Sequence, residues 1–114
     1  MVDGRLPSHM LVTALLRRMN DSGGMGMMLA KGDAQGGGIL VIAIDADPVD
    51  SHRRARVLER GIGPDGRTAL IDSTPANDIV SYWQRRRARD PDLWVIELDG
   101  AAAERFTAET ILQY

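Results

Sequence analysis

Apolar residues recur at helical spacing from His9 to Asn20, where Leu11, Val12, Leu15, Leu16 and Met19 form one stripe and Arg17 and Arg18 lie on the wet side. The spacing predicts a helix over residues 8–21. Ser8 is its expected cap, Leu6 a staple onto its first turn, and Asp21-Ser22-Gly23-Gly24 its stop through a left-handed glycine. The period then falls to two. From Met25 to Lys31, Met25, Met27 and Leu29 oppose Gly26, Met28 and Ala30, as in a strand. Ile39 to Ile44 is apolar throughout, the pattern of a strand buried on both faces. The glycine-rich turn between them, Lys31 to Gly38, predicts that the two strands pair as an antiparallel hairpin.

Further along, Arg54 to Arg60 alternates weakly, setting Ala55, Val57 and Glu59 against Arg56, Leu58 and Arg60. Gly61 to Gly66 is a turn signal and Thr68 to Ile71 a short strand, so residues 53–71 form a second, more polar hairpin nearer a sheet edge. Thr74 as cap and Pro75 at the first helical position predict a helix over 75–89, with Ala76, Ile79, Val80 and Trp83 as its stripe. Arg85, Arg86, Arg87 and Arg89 load its C-terminal end, where positive charge suits the macrodipole, and Pro91 stops it. The clearest strand follows over 93–98, with Trp94, Ile96 and Leu98 on one face and Leu93, Val95 and Glu97 on the other. After the Asp99-Gly100 turn, Ala101 to Thr107 reads as a short helical turn carrying Phe106. The expected fold is one α+β domain over residues 1–114: a mostly antiparallel sheet of about five short strands, with helices 8–21 and 75–89 packed on one face.

Composition narrows this picture. A chain of 114 residues supports one modest core, and with aromatics at 4% that core is built from Leu, Ile, Val, Ala and Met. Two helices on such a sheet leave the core thin, so Trp83 and Trp94 are core anchors and a protein partner or homo-oligomer is expected. The net charge of -2 argues against bulk attraction to nucleic acid or an anionic membrane. The absence of cysteine removes disulfides, thiol chemistry and thiolate zinc sites. No run approaches the roughly 18 apolar residues of a membrane span, and the N-terminus has no leader pattern, so a cytoplasmic protein is expected.

The chain offers few residues for chemistry. Arg85, Arg86 and Arg89, with Asp90 and Asp92 close enough to pair with them, are the candidate anion- or partner-binding residues; Arg87, four residues after Trp83, is expected to lay its stem along the core. Gly23-Gly24-Met25-Gly26 follows a helix and precedes a strand, the reverse of a phosphate-binding loop, and reads as a helix cap and turn. Asp45, Asp47, Asp50 and His52 lack the glycine bend and closing glutamate of a calcium loop, and read as a solvated acidic loop. No nucleophile elbow or Ser/His/Asp pattern is present, so no catalytic, cofactor or metal residue is assigned. The favoured function is a non-enzymatic binding or regulatory module acting through protein–protein contacts. The alternative is a small enzyme or anion-binding protein that uses the arginine-rich helix end and nearby carboxylates.

The order of these signatures resembles the small bacterial family known as domain of unknown function 1491. The resemblance is carried by Leu6-Pro7, Ala14-Leu15-Leu16-Arg17-Arg18, Gly23-Gly24, Lys31-Gly32-Asp33, Arg85-Arg86-Arg87, Ala103-Glu104-Arg105-Phe106 and, most specifically, the block from Asp90 to Asp99. It spans nearly the whole chain and implies a short stand-alone bacterial protein. It implies no activity, cofactor or catalytic residue. Met25 stands where family members often carry an aromatic after the glycine pair.

Overall fold

The computed structural model describes residues 6–46 and 53–112. Three helices and five strands follow one another as α1 (Ser8–Asp21), β1 (Met25–Ala30), β2 (Ile39–Ala46), β3 (Arg53–Ile62), β4 (Thr68–Asp72), α2 (Ile79–Arg89), β5 (Trp94–Asp99) and α3 (Ala103–Ile111). The strands form one sheet in the order β1-β5-β2-β3-β4. Among the described residues only the β2–β5 pairing is parallel; β1–β5, β2–β3 and β3–β4 are antiparallel. The fold is therefore α+β with a mostly antiparallel sheet, and the hairpin expected over 53–71 is present.

The hairpin expected of β1 and β2 is not. Strand β5 lies between them, pairing with β1 on one side and β2 on the other. The reason is burial. Leu40, Val41, Leu93, Trp94, Val95 and Ile96 are each at most 3% exposed, so both strands need neighbours and cover on every side. The eight residues between β1 and β2 are long enough to step over an inserted strand, a gap of about 10 Å at ordinary strand spacing. That loop is fastened to the strand it crosses: the Asp33 N–H donates to Asp92 O at 2.9 Å, and the Trp94 N–H to Gly38 O at 2.8 Å.

Two apolar layers flank the sheet. Trp94, Ile96 and Leu98 share one face with Ile39, Val41 and Ala43, covered by Leu11, Val12, Leu15 and Met19 of α1 and by Phe106 and Ile111 of α3. Leu40, Ile42, Val57, Leu93 and Val95 form the other, against which Ile79, Tyr82 and Trp83 of α2 pack. The helices thus cover both faces rather than one, because β2 and β5 alternate apolar residues to both sides. Residues expected as a helical turn extend into α3, whose buried face is Ala103, Phe106, Thr107, Thr110 and Ile111. Arg18 of α1 fastens this helix, lying 4.0 Å over the Phe106 ring and bonding Glu109 at 2.5 Å.

Helix boundaries also differ from expectation. Ser8 does not cap α1 with its side chain. Its Oγ donates to Gly37 O at 2.5 Å, and the Ser8 and His9 N–H groups donate to Gln35 O and Ala34 O, so the crossing loop caps the helix. At the other end Gly23 is left-handed (φ 93°), and the Gly24 N–H closes onto Met19 O at 3.1 Å, as expected. Helix α2 begins at Ile79, not Pro75. Asp78 is its cap, accepting from the Val80 N–H at 3.0 Å and the Ser81 hydroxyl at 2.8 Å. Thr74 instead serves β3, accepting the Val57 N–H at 2.9 Å. The stripe shifts accordingly, leaving Val80 exposed. Asp47, Asp50 and His52 of the acidic loop lie outside the described residues, and Asp45 is exposed at the end of β2.

Two paired substitutions test this architecture. The indole N–H of Trp94 donates to Asp33 O at 2.7 Å, whereas that of Trp83 is buried without a partner among the described residues. Trp94→Phe should cost about 2–3 kcal/mol in chemical denaturation, and Trp83→Phe less than about 1 kcal/mol, since it also removes an unsatisfied donor. A side chain at Gly37 would run into the Asp92 carbonyl, whereas one at Gly36 meets nothing within 4 Å. Gly37→Ala should therefore lower stability by about 1–3 kcal/mol and Gly36→Ala leave it nearly unchanged, as read by thermal melts.

Candidate functional site

The arginines at the end of α2 do not act as one cluster. Arg85 and Arg89 are exposed. Arg87 turns back along the following loop, donating to the carbonyls of Pro91 and Leu93, the latter at 3.1 Å. It thus holds the path from helix to β5 rather than the face of Trp83. Arg86 alone reaches inward. Its Nη1 and Nη2 grip the Glu59 carboxylate of β3 at 3.0 and 2.9 Å, and Nη1 also donates to the Tyr82 hydroxyl at 2.8 Å. The Ser73 hydroxyl donates to the same carboxylate.

Asp90 and Asp92 do not pair with these arginines, contrary to expectation. Asp90 caps α2 and accepts the Asp92 N–H at 3.2 Å, while the Asp92 side chain is exposed. The Asp90 carboxylate is bound up in its own turn, and Glu59, on the Val57 face of β3, gives Arg86 a more desolvated partner. The Arg86 fork holds the Glu59 carboxyl below the usual glutamate range, with Ser73 adding to the effect and burial opposing it. Glu59 in turn raises the Arg86 guanidinium. An ionised glutamate paired with a charged arginine is a poor proton donor near neutral pH.

This pair borders a cavity of about 340 Å³ at the end of the sheet where β2 and β5 begin. Pairing of β2 with β3 ends at Val41↔Leu58, yet β3 continues to Ile62, and the cavity lies beside this overhang. Leu11, Ile39, Leu93 and Ile111 give it apolar walls; Glu59, Arg60, Arg86 and Asp90 give it charge; Gly36 and Gly37 lie along it. Of the residues singled out in the sequence, Arg86 and Asp90 meet here, and Arg85, Arg89 and Asp92 do not. Glu59 and Arg60 are additions. The signal for Glu59 was its place on the apolar side of an alternating strand, where a carboxylate needs a partner. Among the described residues no group of three His, Asp or Glu could hold a metal, and no helix is long and apolar enough to cross a membrane.

A second feature lies at the far edge of the sheet. Strand β1, Met-Gly-Met-Met-Leu-Ala, carries no charge. Met25, Met27 and Met28 are 56%, 46% and 43% exposed. Gly26 packs against the α1 backbone, where a Cβ would lie 3.0 Å from Leu16 Cα, and its N–H donates to Asn20 Oδ1 at 3.0 Å. The pairing with β5 shifts register between Met28 and Ala30.

The Glu59–Arg86 pair generates a pH test. A folded-state pKa below the ordinary value of 4.5 contributes stability above that pH, and the contribution is lost as pH falls through the folded value. Glu59→Gln should therefore cost about 1–2 kcal/mol near pH 7, after allowance for partial exposure, and the gap to the parent protein should narrow progressively as pH falls below 4.5. Urea titrations across that range supply the comparison; a pH-independent gap would rule out the charged pair as its cause.

Comparisons place the molecule. No curated protein matches it. The family profile described as "Protein of unknown function (DUF1491)" matches residues 6–108. A crystal structure of a DUF1491 family protein from Caulobacter crescentus CB15 is similar at a TM-score of 0.73 and 29% identity, covering 89% of this chain and 94% of that one. The NMR structure of a DUF1491 family protein from the same organism gives 0.69 and 31%, covering 89% and 91%. The solution structure of protein Atu0922 from A. tumefaciens gives 0.63 and 25%, covering 83% and 86%. With almost the whole sheet and its helices inside the matched span, the chain belongs to the DUF1491 family of proteins of unknown function.

Proposed function

We propose that this protein is a non-enzymatic binding module that works through protein–protein contacts at the β1 edge of its sheet. The supporting observation is the exposure of Met25, Met27 and Met28 on one uncharged strand. Monomeric proteins ordinarily blunt a sheet edge with charge, proline or cover, and β1 has neither charge nor proline. Methionine is flexible and polarizable and adapts to a partner's surface. The strand is not a bare hydrogen-bonding template, because Asn20 already takes the Gly26 N–H and a register shift follows Met28. The contact therefore rests on side chains more than on an added ladder. A second copy of this chain is the simplest partner, since an uncharged strand facing itself opposes no like charges.

The alternative, an enzyme or anion-binding protein acting through the α2 arginines and their carboxylates, receives less support. Arg86 is neutralised by Glu59, and that carboxylate is held ionised. Light scattering after gel filtration tests the favoured reading. The mass should rise with concentration for the parent protein and stay monomeric, with an unchanged melting temperature, for Met25→Lys/Met27→Lys. A double variant that still associates would remove the edge as the contact.

A further inference from the structure

We infer that the cavity at the start of β2 and β5 is a binding site for a small organic carboxylate with an apolar body, held through Arg60. This goes beyond the edge contact and does not depend on it. Most polar groups around the cavity are already satisfied. Arg86 is taken by Glu59 and Tyr82. The Ser8 hydroxyl is taken by Gly37 O, and the first N–H groups of α1 by the carbonyls of Gln35 and Ala34. The start of α1 is therefore not an anion site, although it borders the cavity. Asp90 is occupied with the Asp92 N–H.

Arg60 remains. It lies on the α3 face of β3, with Leu58, and a single nitrogen, Nη2, donates to Ile111 O at 2.9 Å. No carboxylate pairs with it among the described residues. A guanidinium carries five N–H donors in a planar fork, so most of its donors are free, and a carboxylate fits the fork with two parallel bonds. The other charges cancel around it: Arg86 against Glu59, leaving only Asp90, which also borders the cavity, against Arg60. With the charged lining balanced, two against two, a carboxylate is recognised by the open fork of Arg60 rather than by net charge, and a second negative charge gains nothing. The remaining walls are Leu6, Leu11, Ile39, Leu93 and Ile111, which favour a branched or ring-bearing body over a polar one. A volume of about 340 Å³ lies at the low end of ligand-site sizes and suits a small acid.

The test uses 4-methylpentanoate and 3-phenylpropanoate as probes, with their primary amides and inorganic phosphate as comparisons, read by amide chemical shifts in the full chain. Saturable shifts at Gly36, Gly37 and Gly38 are expected with either acid, with affinity at least about tenfold weaker for the amides and for phosphate. Arg60→Gln should abolish the response. Because Arg60 also holds the end of α3, Gly36→Val gives an independent variant: it borders the cavity, a Cβ there meets nothing within 4 Å, and the substitution should block binding without lowering the melting temperature. Arg85→Gln/Arg89→Gln, at exposed positions away from the cavity, should bind as the parent does. The inference is overturned if neither acid gives saturable shifts, if amide or phosphate binds as tightly as acid, or if Gly36→Val leaves the affinity unchanged.

Discussion

Strand β5 is satisfied only when it is paired on both edges and covered on both faces, and the rest of the molecule is arranged to do this. Its residues Trp94, Val95, Ile96 and Leu98 are at most 2% exposed. A solvated edge or face would strand either its backbone groups or its apolar side chains in water. The chain supplies β1 and β2 as flanking strands, α1 and α3 over one face, and α2 over the other. The order of elements then follows. Strands β1 and β2 form before β5 in the chain, so a place must be left between them, and the loop over 31–38 spans it. Trp94 bonds that loop through its indole and its backbone N–H, and the Asp92 carbonyl lies so close to Gly32 and Gly37 that neither tolerates a side chain.

Much of this was legible along the chain, and what was missed shares one cause. Patterns confined to a single element were readable: the α1 stripe from Leu11 to Met19, the doubly buried run from Ile39 to Ile44, and the two faces of Leu93 to Leu98. Each rests on local periodicity. Strand order depends on distant residues. Gly36-Gly37-Gly38 signals a turn whether the next strand lies one or two positions away, and nothing in it announces that the Asp92 carbonyl will occupy the space a Gly37 side chain would need. The start of α2 failed for a related reason. Thr74-Pro75 is a good helix opening in isolation, but Val57 left an N–H without a strand partner, and Thr74 was drawn to it. A tertiary hydrogen bond outweighed a local preference of about 1 kcal/mol.

The arginine run shows the same division at the level of the site. Four arginines in five residues at a helix end look alike in sequence, yet the fold gives them different tasks: Arg86 to the sheet, Arg87 to the loop, Arg85 and Arg89 to solvent. The deciding factor is the helical angle at which each leaves the axis, set by Tyr82 and Trp83 seating α2 on the Leu40–Val57 layer. Tyr82, one turn before Arg86, faces the same way and shares its hydrogen-bonded network.

The charges on β3 then explain why a cavity persists beside them. Glu59 and Arg60 are neighbours on a strand, so they point to opposite faces and cannot neutralise each other in place. Glu59 finds Arg86 on the α2 side. Arg60, on the α3 side, finds among the described residues only the carbonyl of Ile111 at the end of a helix, where a partial negative charge of about half an electron is no match for a full cation. Closing the cavity over Arg60 would bury that incompletely paired cation, which is costly, and β2 is already paired to β5 along its first residues and ends its contact with β3 at Val41. The gap between sheet end and glycine loop thus borders a cation whose fork is mostly open among the described residues, and the anion proposed for it would meet donors already in place.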